Sequence, residues 1–142
     1  MKSMITSKDD SFFRMAKNAS TLSDEPRKRH RVGCVVVDKK RVISSGYSSM
    51  KTSPLQKKYN RERFTADTPH TLHAETHALK HFVNNHTVDM SKVSVYIYRE
   101  LSDGSTGMAR PCPSCMKLIR DLGIKHIYYT TPDGYAEEKL VY

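Results

Sequence analysis

A chain of 142 residues, 37% of them apolar, fits one compact domain, and it has neither an apolar run long enough to span a membrane nor a signal-peptide pattern. We therefore expect a single domain over residues 1–142 that contacts no membrane. Its three cysteines form no disulfide framework, so we expect the protein to stay in the reducing cytoplasm. Lys and Arg outnumber Asp and Glu by 24 to 15, and this net charge of +9 favours anionic partners such as phosphate or nucleic acid.

The N-terminal part of the chain predicts a helix followed by a β-hairpin. Ser7 and Asp10 resemble a capping box, and apolar side chains follow at helical spacing. The β-rich segments Val32–Asp38 and 41–46 are separated by two residues, which predicts a tight antiparallel hairpin. The helical side chains that we expect to face the core are Phe12, Met15, Ala16, Ala19 and Leu22.

The middle of the chain predicts a long connection and then a second helix. Residues 47–71 are basic, are punctuated by Pro54 and Pro69, and show no obvious periodicity. Because long connections in compact domains are usually functional or mobile, we interpret this segment as such a connection. The second helix begins at about Leu72, and apolar spacing continues to Val83.

The C-terminal part predicts a strand, a helix and a strand in turn. Residues 93–98 are β-rich, a third helix begins at Pro113 and stops at Gly123, and residues 127–130 form a fourth strand. This order implies a layered α/β fold in which ligands gather at the carboxyl ends of strands, where helices begin. The remaining residues, 131–142, are too few for another crossover, so we expect any fifth strand to be an antiparallel hairpin partner.

Two short sequence islands, His73-Ala74-Glu75 and Cys112-Pro113-Ser114-Cys115, fall at predicted helix starts. A thiolate binds zinc only after losing its proton, and the partial positive charge of a helix N-terminus lowers the thiol pKa. The histidine and the two cysteines would supply three protein ligands. Three ligands leave the fourth tetrahedral position open, which is typical of a catalytic zinc, and the Glu75 carboxylate could shuttle protons there.

The first island, combined with Pro111-Cys112-Pro113-Ser114-Cys115, resembles the signature of the zinc-dependent cytidine deaminase-like superfamily, of the cytidine and deoxycytidylate deaminase type. The order of helices and strands extends the resemblance across most of the chain. The resemblance implies a three-layer α/β/α fold whose mixed sheet has about five strands and ends in an antiparallel hairpin. It also implies a hydrolase that acts on a cyclic amidine C–N bond and converts the cytosine ring of a free nucleotide or nucleoside to uracil, with release of ammonia.

The resemblance also implies roles for particular residues. His73, Cys112 and Cys115 would hold one Zn²⁺ per chain, and Glu75 would move protons between water, the ring nitrogen and the leaving amine. Small relatives often pair or form tetramers, so we expect a homo-oligomer. The candidates for substrate contact are Ala74, Tyr47, Ser48, Pro111, Arg29, Arg31 and Lys51.

Two departures from the family's pattern concern the substrate. Gly46-Tyr47-Ser48-Ser49 stands where many relatives carry an asparagine that touches the sugar, and residues 101–109 form an insertion that could cover the pocket or contact a longer substrate. One alternative is therefore a deaminase of cytosine or adenine in single-stranded DNA or RNA, with basic loops that follow the phosphates. Another is a nucleic-acid-binding module with a structural zinc, although such a site needs no general base and Glu75 counts against it.

Overall fold

A computed structural model describes residues 7–26, 31–63, 71–85 and 87–141 of the chain. Within these ranges no helix is long and apolar enough to cross a membrane. The helices are α1 (Ser7–Ser20), α2 (Pro54–Arg63), α3 (Ala74–Leu79) and α4 (Pro113–Leu122), with short 3-10 helices at Lys80–Phe82 and Met90–Lys92. The strands are β1 (Val32–Asp38), β2 (Arg41–Tyr47), β3 (Ser49–Thr52), β4 (Thr71–Leu72), β5 (Ser94–Arg99), β6 (His126–Thr131) and β7 (Gly134–Lys139).

Five strands form one mixed sheet in the spatial order β2-β1-β5-β6-β7. β1 pairs antiparallel with both β2 and β5, and β5 pairs parallel with β6 across the α4 connection. β7 returns antiparallel to β6, with Thr131 opposite Gly134 at the closing turn. The predicted mixed sheet and the C-terminal antiparallel hairpin are therefore confirmed.

Helices cover both faces of the sheet, as the three-layer prediction requires. Successive residues of a strand point to opposite faces. Val35 and Val37 of β1 accordingly pack in a cluster with Phe13 of α1, whereas Cys34 and Val36 belong to a second cluster with buried side chains of α3 and α4. Because both faces are covered, β1 is apolar almost throughout, and Cys34 is a small buried side chain of this core.

The first helix is confirmed, but two of its expected core residues are exposed. Phe13 and Ala16 are fully buried, whereas Met15 is 45% and Leu22 is 65% exposed. Leu22 lies beyond the end of the helix at Ser20. Met15 lies about 100° around the helix from the centre of the buried stripe, which runs through Phe12, Phe13, Ala16, Ala19 and Ser20.

The interpretation of residues 47–71 as a connection without periodicity was wrong, because this segment contains β3, the ten-residue helix α2 and the first residue of β4. Among the side chains of α2 that the structure describes, Gln56, Tyr59 and Asn60 are buried. Two of these are amides, so an apolar pattern could not reveal the helix. The following helix, α3, begins at Ala74 and not at Leu72, because Leu72 pairs with Ser49 in the small β3–β4 sheet.

Candidate metal centre and active site

The two sequence islands meet at the starts of α3 and α4. His73 is the N-cap of α3 in an extended conformation (φ −81°, ψ 154°), and its carbonyl accepts the first helical hydrogen bond, from the amide of His77 at 3.0 Å. Cys112 is the N-cap of α4, Pro113 follows at the first helical position, and the amide of Met116 donates to the Cys112 carbonyl at 2.8 Å. These two caps fix the backbone from which the histidine and cysteine side chains converge.

The side chains of His73, Cys112 and Cys115 have the spacing that a tetrahedral zinc ion requires. The His73 Nδ1 atom lies 3.3 Å from Cys115 Sγ and 3.5 Å from Cys112 Sγ, and the three ligand atoms all lie within 4.8 Å of one another. Zinc–nitrogen and zinc–sulfur bonds of ordinary length place such atoms about 3.6 Å apart. The residues present therefore fit a zinc ion with three protein ligands.

The protonation of the two thiols also suits a cation. A hydrogen bond from the Cys115 thiol and the neighbouring His73 lower the pKa of Cys112, although burial acts in the opposite direction. The same hydrogen bond, together with complete burial, raises the pKa of Cys115. One thiolate is thus favoured without a metal, and a bound cation would displace the proton that the second sulfur retains. The Thr76 hydroxyl lies 3.8 Å from Cys115 Sγ and completes the surroundings of that sulfur.

Glu75 lies beside the three candidate ligands and is only 6% exposed. Burial raises the pKa of its carboxyl group above the ordinary value, and the charge of His73 opposes this shift. A carboxyl group whose pKa is raised toward neutrality can both accept and deliver a proton during a reaction. The position and the pKa of Glu75 therefore suit general acid–base catalysis.

A cavity of about 360 Å³ opens beside these residues. Among the predicted substrate contacts, the structure brings Ala74 and Ser48 to this cavity together with His73, Glu75 and Cys112. The Ser48 hydroxyl accepts a hydrogen bond from the Val32 amide at 3.0 Å and lies 2.9 Å from the Ser23 hydroxyl. The site cavity is lined by Val32, Ser48, His73, Ala74, Glu75, Arg99, Met108, Ala109, Arg110 and Cys112.

Four of the other predicted contact residues line different cavities. Tyr47 and Lys51 line a separate cavity beside His77, and Pro111 lines one against α4. Arg31 lines a neighbouring cavity of about 440 Å³ together with residues 100–104. Arg29 lies outside the described residues.

Two arginines that the sequence analysis did not single out line the site cavity. Arg99 is the last residue of β5, and its Nη1 atom donates to the Met108 carbonyl at 3.3 Å. Arg110 makes two hydrogen bonds of 3.0 Å to the Glu138 carboxylate. The sequence held a signal for Arg99, which directly follows the β-rich segment 93–98, because ligands of α/β sheets gather at the carboxyl ends of strands.

The insertion over residues 101–109 forms part of the walls of both cavities. Glu100 and Thr106 form an isolated β-bridge, and the Ala109 amide donates to the Thr130 carbonyl at 2.9 Å. These contacts anchor the end of the insertion on β6, so that Met108 and Ala109 border the site cavity. The beginning of the insertion borders the neighbouring cavity instead.

The layered α/β fold, the three candidate metal ligands and the buried carboxyl group define a protein suited to metal-assisted hydrolysis. The family model for the cytidine and deoxycytidylate deaminase zinc-binding region matches residues 6–131. The chain therefore belongs to the family of cytidine and deoxycytidylate deaminases, which confirms the resemblance carried by the two islands.

Solved structures support the same family. The apo dCMP deaminase from the cyanophage S-TIM5 is 25% identical, with a TM-score of 0.59 over 92% of this chain and 86% of that chain. A structure of the same phage enzyme in complex with dCMP and dUMP is 21% identical, with a TM-score of 0.60 over 91% of this chain and 85% of that one. The cytidine deaminase from Burkholderia pseudomallei shares the fold at 16% identity, with a TM-score of 0.61 over 92% and 91% of the two chains. No curated protein matches the chain.

Proposed function

We propose that the chain is a single zinc-dependent deaminase domain that converts the cytosine ring of a free nucleotide or nucleoside to uracil and releases ammonia. The observation that carries this proposal is the position of Glu75. Its buried carboxyl group borders an open cavity beside three metal ligands, whereas a structural zinc site would need a fourth protein ligand and no general base. This argument also counts against a nucleic-acid-binding module with a structural zinc.

The residues of the chain have distinct roles in this proposal. One zinc ion, held by His73, Cys112 and Cys115, would supply a Lewis acid that makes water a nucleophile near neutral pH. Glu75 takes the proton that the attacking water loses and delivers protons to the ring nitrogen and to the leaving amine. Ala74 and Ser48 line the cavity in which the ring would lie.

The size and charge of the site cavity support a nucleotide substrate. A volume of about 360 Å³ lies at the small end of the range for ligand pockets and suits one nucleoside or nucleotide. Arg99 and Arg110 both line it and could bind a phosphate. Arg110 already pairs with the Glu138 carboxylate through its Nε and Nη2 atoms, so Arg99 is the arginine that we test first. The dCMP and dUMP bound by the phage enzyme are in keeping with this choice.

The alternative substrate, single-stranded DNA or RNA, is favoured by the neighbouring cavity. Residues adjacent in the chain line the two cavities, since Val32 and Arg99 line the site cavity and their neighbours Arg31 and Glu100 line the other. A second nucleotide could therefore extend from one cavity into the other. However, Glu100 and Asp103 also line the neighbouring cavity. Their carboxylates would repel a phosphate backbone, and we therefore prefer the free nucleotide.

The proposal is tested by measuring ammonia release from a panel of compounds with the zinc-loaded protein. We expect activity on dCMP or cytidine compounds and none on adenine or guanine compounds. Activity on single-stranded oligonucleotides alone, with a steep loss at high salt, would establish the alternative. Nucleic-acid binding without ammonia release from any compound would instead indicate a structural zinc module. A cytoplasmic location and a homo-oligomeric state remain predictions for localisation and light-scattering measurements.

A further inference from the structure

We propose that Gln56 is a positioning residue for the metal centre, because its side chain holds the backbone of the ligand His73 and joins it to helix α2. The inference rests on the proposed zinc site and goes beyond it, since it assigns a role to a residue that binds neither metal nor substrate. Neither the two sequence islands nor the cavity lining includes Gln56.

The contact between Gln56 and His73 is buried and has defined partners on both sides. The Gln56 Oε1 atom accepts a hydrogen bond from the His73 amide at 3.2 Å, and its Nε2 atom donates to Asn60 Oδ1 at 3.0 Å. Gln56 is 0% and Asn60 is 1% exposed. Because the Gln56 oxygen and nitrogen each have a buried hydrogen-bond partner, the amide is held in one orientation with its oxygen toward His73.

The position of His73 explains why its amide needs this partner. As an N-cap residue, His73 has an extended backbone conformation, and the cap of α3 has no side-chain hydrogen bond. The helix that follows has only six residues, too few to fix its own first turn without outside contacts. The direction in which the imidazole leaves the backbone is therefore set in part by the hydrogen bond to Gln56.

Helix α2 is in turn attached to the helix that carries the cysteine ligands. The Tyr59 hydroxyl donates to Asp121 Oδ2 of α4 at 2.8 Å, and the Lys117 ammonium group donates to the same oxygen at 2.9 Å. The Tyr59 ring is buried, and the ammonium group of Lys117 lies 5.5 Å from the ring centroid. The buried Tyr59 ring, which belongs to the same core cluster as Met116 of α4, holds α2 against α4. Gln56 of α2 then places His73 at a fixed position relative to Cys112 and Cys115.

The test compares metal binding by the full chain and three variants. Gln56→Met keeps the length and burial of the side chain but removes the acceptor, Gln56→Glu keeps an acceptor oxygen, and Tyr59→Phe removes a different hydrogen bond of α2. Zinc affinity is measured by competition with a chelator, and the visible spectrum of the Co²⁺-substituted protein reports the ligand geometry. Neither readout depends on catalytic activity.

We expect Gln56→Met to lower zinc affinity by about tenfold to a hundredfold and to alter the Co²⁺ spectrum. Gln56→Glu should retain the wild-type spectrum, and Tyr59→Phe should bind zinc within about threefold of wild type despite a loss of stability. If Gln56→Met does not fold, Gln56→Asn takes its place, because its side chain is one methylene too short to reach the His73 amide. Gln56→Asn should show the same loss of zinc affinity as Gln56→Met.

Wild-type zinc affinity and an unchanged Co²⁺ spectrum in Gln56→Met would overturn the proposal. So would a Gln56→Glu variant as impaired as Gln56→Met, or a Tyr59→Phe variant that loses as much zinc affinity as Gln56→Met. Failure of the proposed function is distinguishable, because it would show as a wild-type protein that binds no zinc or releases no ammonia.

Discussion

At the scale of single residues, the surroundings of Cys112, Cys115 and Glu75 shift their pKa values in different directions. The two thiols share a hydrogen bond that lowers the pKa of Cys112 and raises that of Cys115, so they carry one proton between them until a cation displaces it. Glu75 is set apart by burial, which raises the pKa of its carboxyl group. The thiols and the carboxyl group thus suit different proposed roles, the thiols as zinc ligands and Glu75 as the proton carrier.

A prediction at this scale concerns Arg99 and the substrate's phosphate. We expect Arg99→Gln to lower kcat/KM for dCMP by about tenfold to a hundredfold, the value of one charged hydrogen bond, with little change for deoxycytidine. Steady-state ammonia release on both substrates measures the split. Lys40→Gln, an equal change of charge at the exposed hairpin turn, is the control and should leave both substrates unaffected. Equal losses on both substrates would show that Arg99 does not contact the phosphate.

The convergence of His73, Cys112 and Cys115 could be predicted from the sequence, because both islands fall at predicted helix starts. The residues around them could not. Arg99 reaches the cavity only because β5 ends there, and Gln56 reaches His73 only because α2 docks on α4. Tyr47 and Lys51 are close to Ser48 in the chain but line a different cavity. Proximity in sequence was therefore a poor guide to the pocket wall.

At the scale of elements, β2 and α3 pack so closely that Gly46 leaves no room for a side chain. A Cβ atom at Gly46 would lie 2.5 Å from the Ala78 amide nitrogen and 2.7 Å from the Ala74 carbonyl oxygen, both backbone atoms of α3. We expect Gly46→Ala to lower the free energy of unfolding by about 1–3 kcal/mol and to reduce kcat/KM by displacing α3. Urea unfolding and ammonia release measure the two effects.

The matched control for this prediction is Ser45→Ala at the exposed neighbouring position. It should change the free energy of unfolding by less than about 0.5 kcal/mol. Wild-type stability of Gly46→Ala would contradict the close packing of β2 against α3.

A second prediction concerns the attachment of α2 to α4 at Asp121. Burial acts to raise the pKa of the Asp121 carboxyl, but hydrogen bonds from Lys117 and Tyr59 outweigh it and lower the pKa. A lowered pKa in the folded state contributes stability above the unfolded value of about 3.9, and this contribution is lost as the pH falls through the folded pKa. The side chain is 44% exposed, so the contribution should stay below about 1 kcal/mol.

The comparison is between wild type and Asp121→Asn, both without metal, by urea unfolding from about pH 7 to about pH 3. Wild type should be the more stable at neutral pH, and its advantage should shrink at the acid end. An advantage that does not change with pH would contradict the assigned role of the carboxylate.

Most of the elements could be predicted, because apolar residues recur at helical or strand spacing in most of the elements that pack on the main core. α2 is the informative exception. Gln56 and Asn60 occupy buried positions that an apolar side chain would take in an ordinary amphipathic helix. There the two amides hydrogen-bond to each other, and Gln56 also accepts from the His73 amide. A pattern of buried amides is indistinguishable from a polar loop until the partner atoms are known.

At the scale of the whole molecule, a zinc ion at the candidate centre would join parts of the chain that the sheet alone does not join. His73 and Cys112 start different helices on the same face of the sheet, and a zinc ion would link them. Zinc at about 100 times its Kd should add about 2.7 kcal/mol to stability and raise Tm by about 5–15 °C. Calorimetry with and without chelator measures the shift, which Cys112→Ala should abolish. An unchanged wild-type Tm would contradict a zinc site in the folded chain.

The central claim, hydrolytic deamination with Glu75 as the proton carrier, is tested most directly by ammonia release from dCMP by zinc-loaded wild type and zinc-loaded Glu75→Gln. The account predicts equal zinc contents, measured by metal analysis, and a rate that is lower in the variant by a factor of about 100 to 10,000. The two proteins should differ in rate and not in metal, because the carboxylate is beside the ligands and not among them. A Glu75→Gln variant that releases ammonia at the wild-type rate would contradict the account.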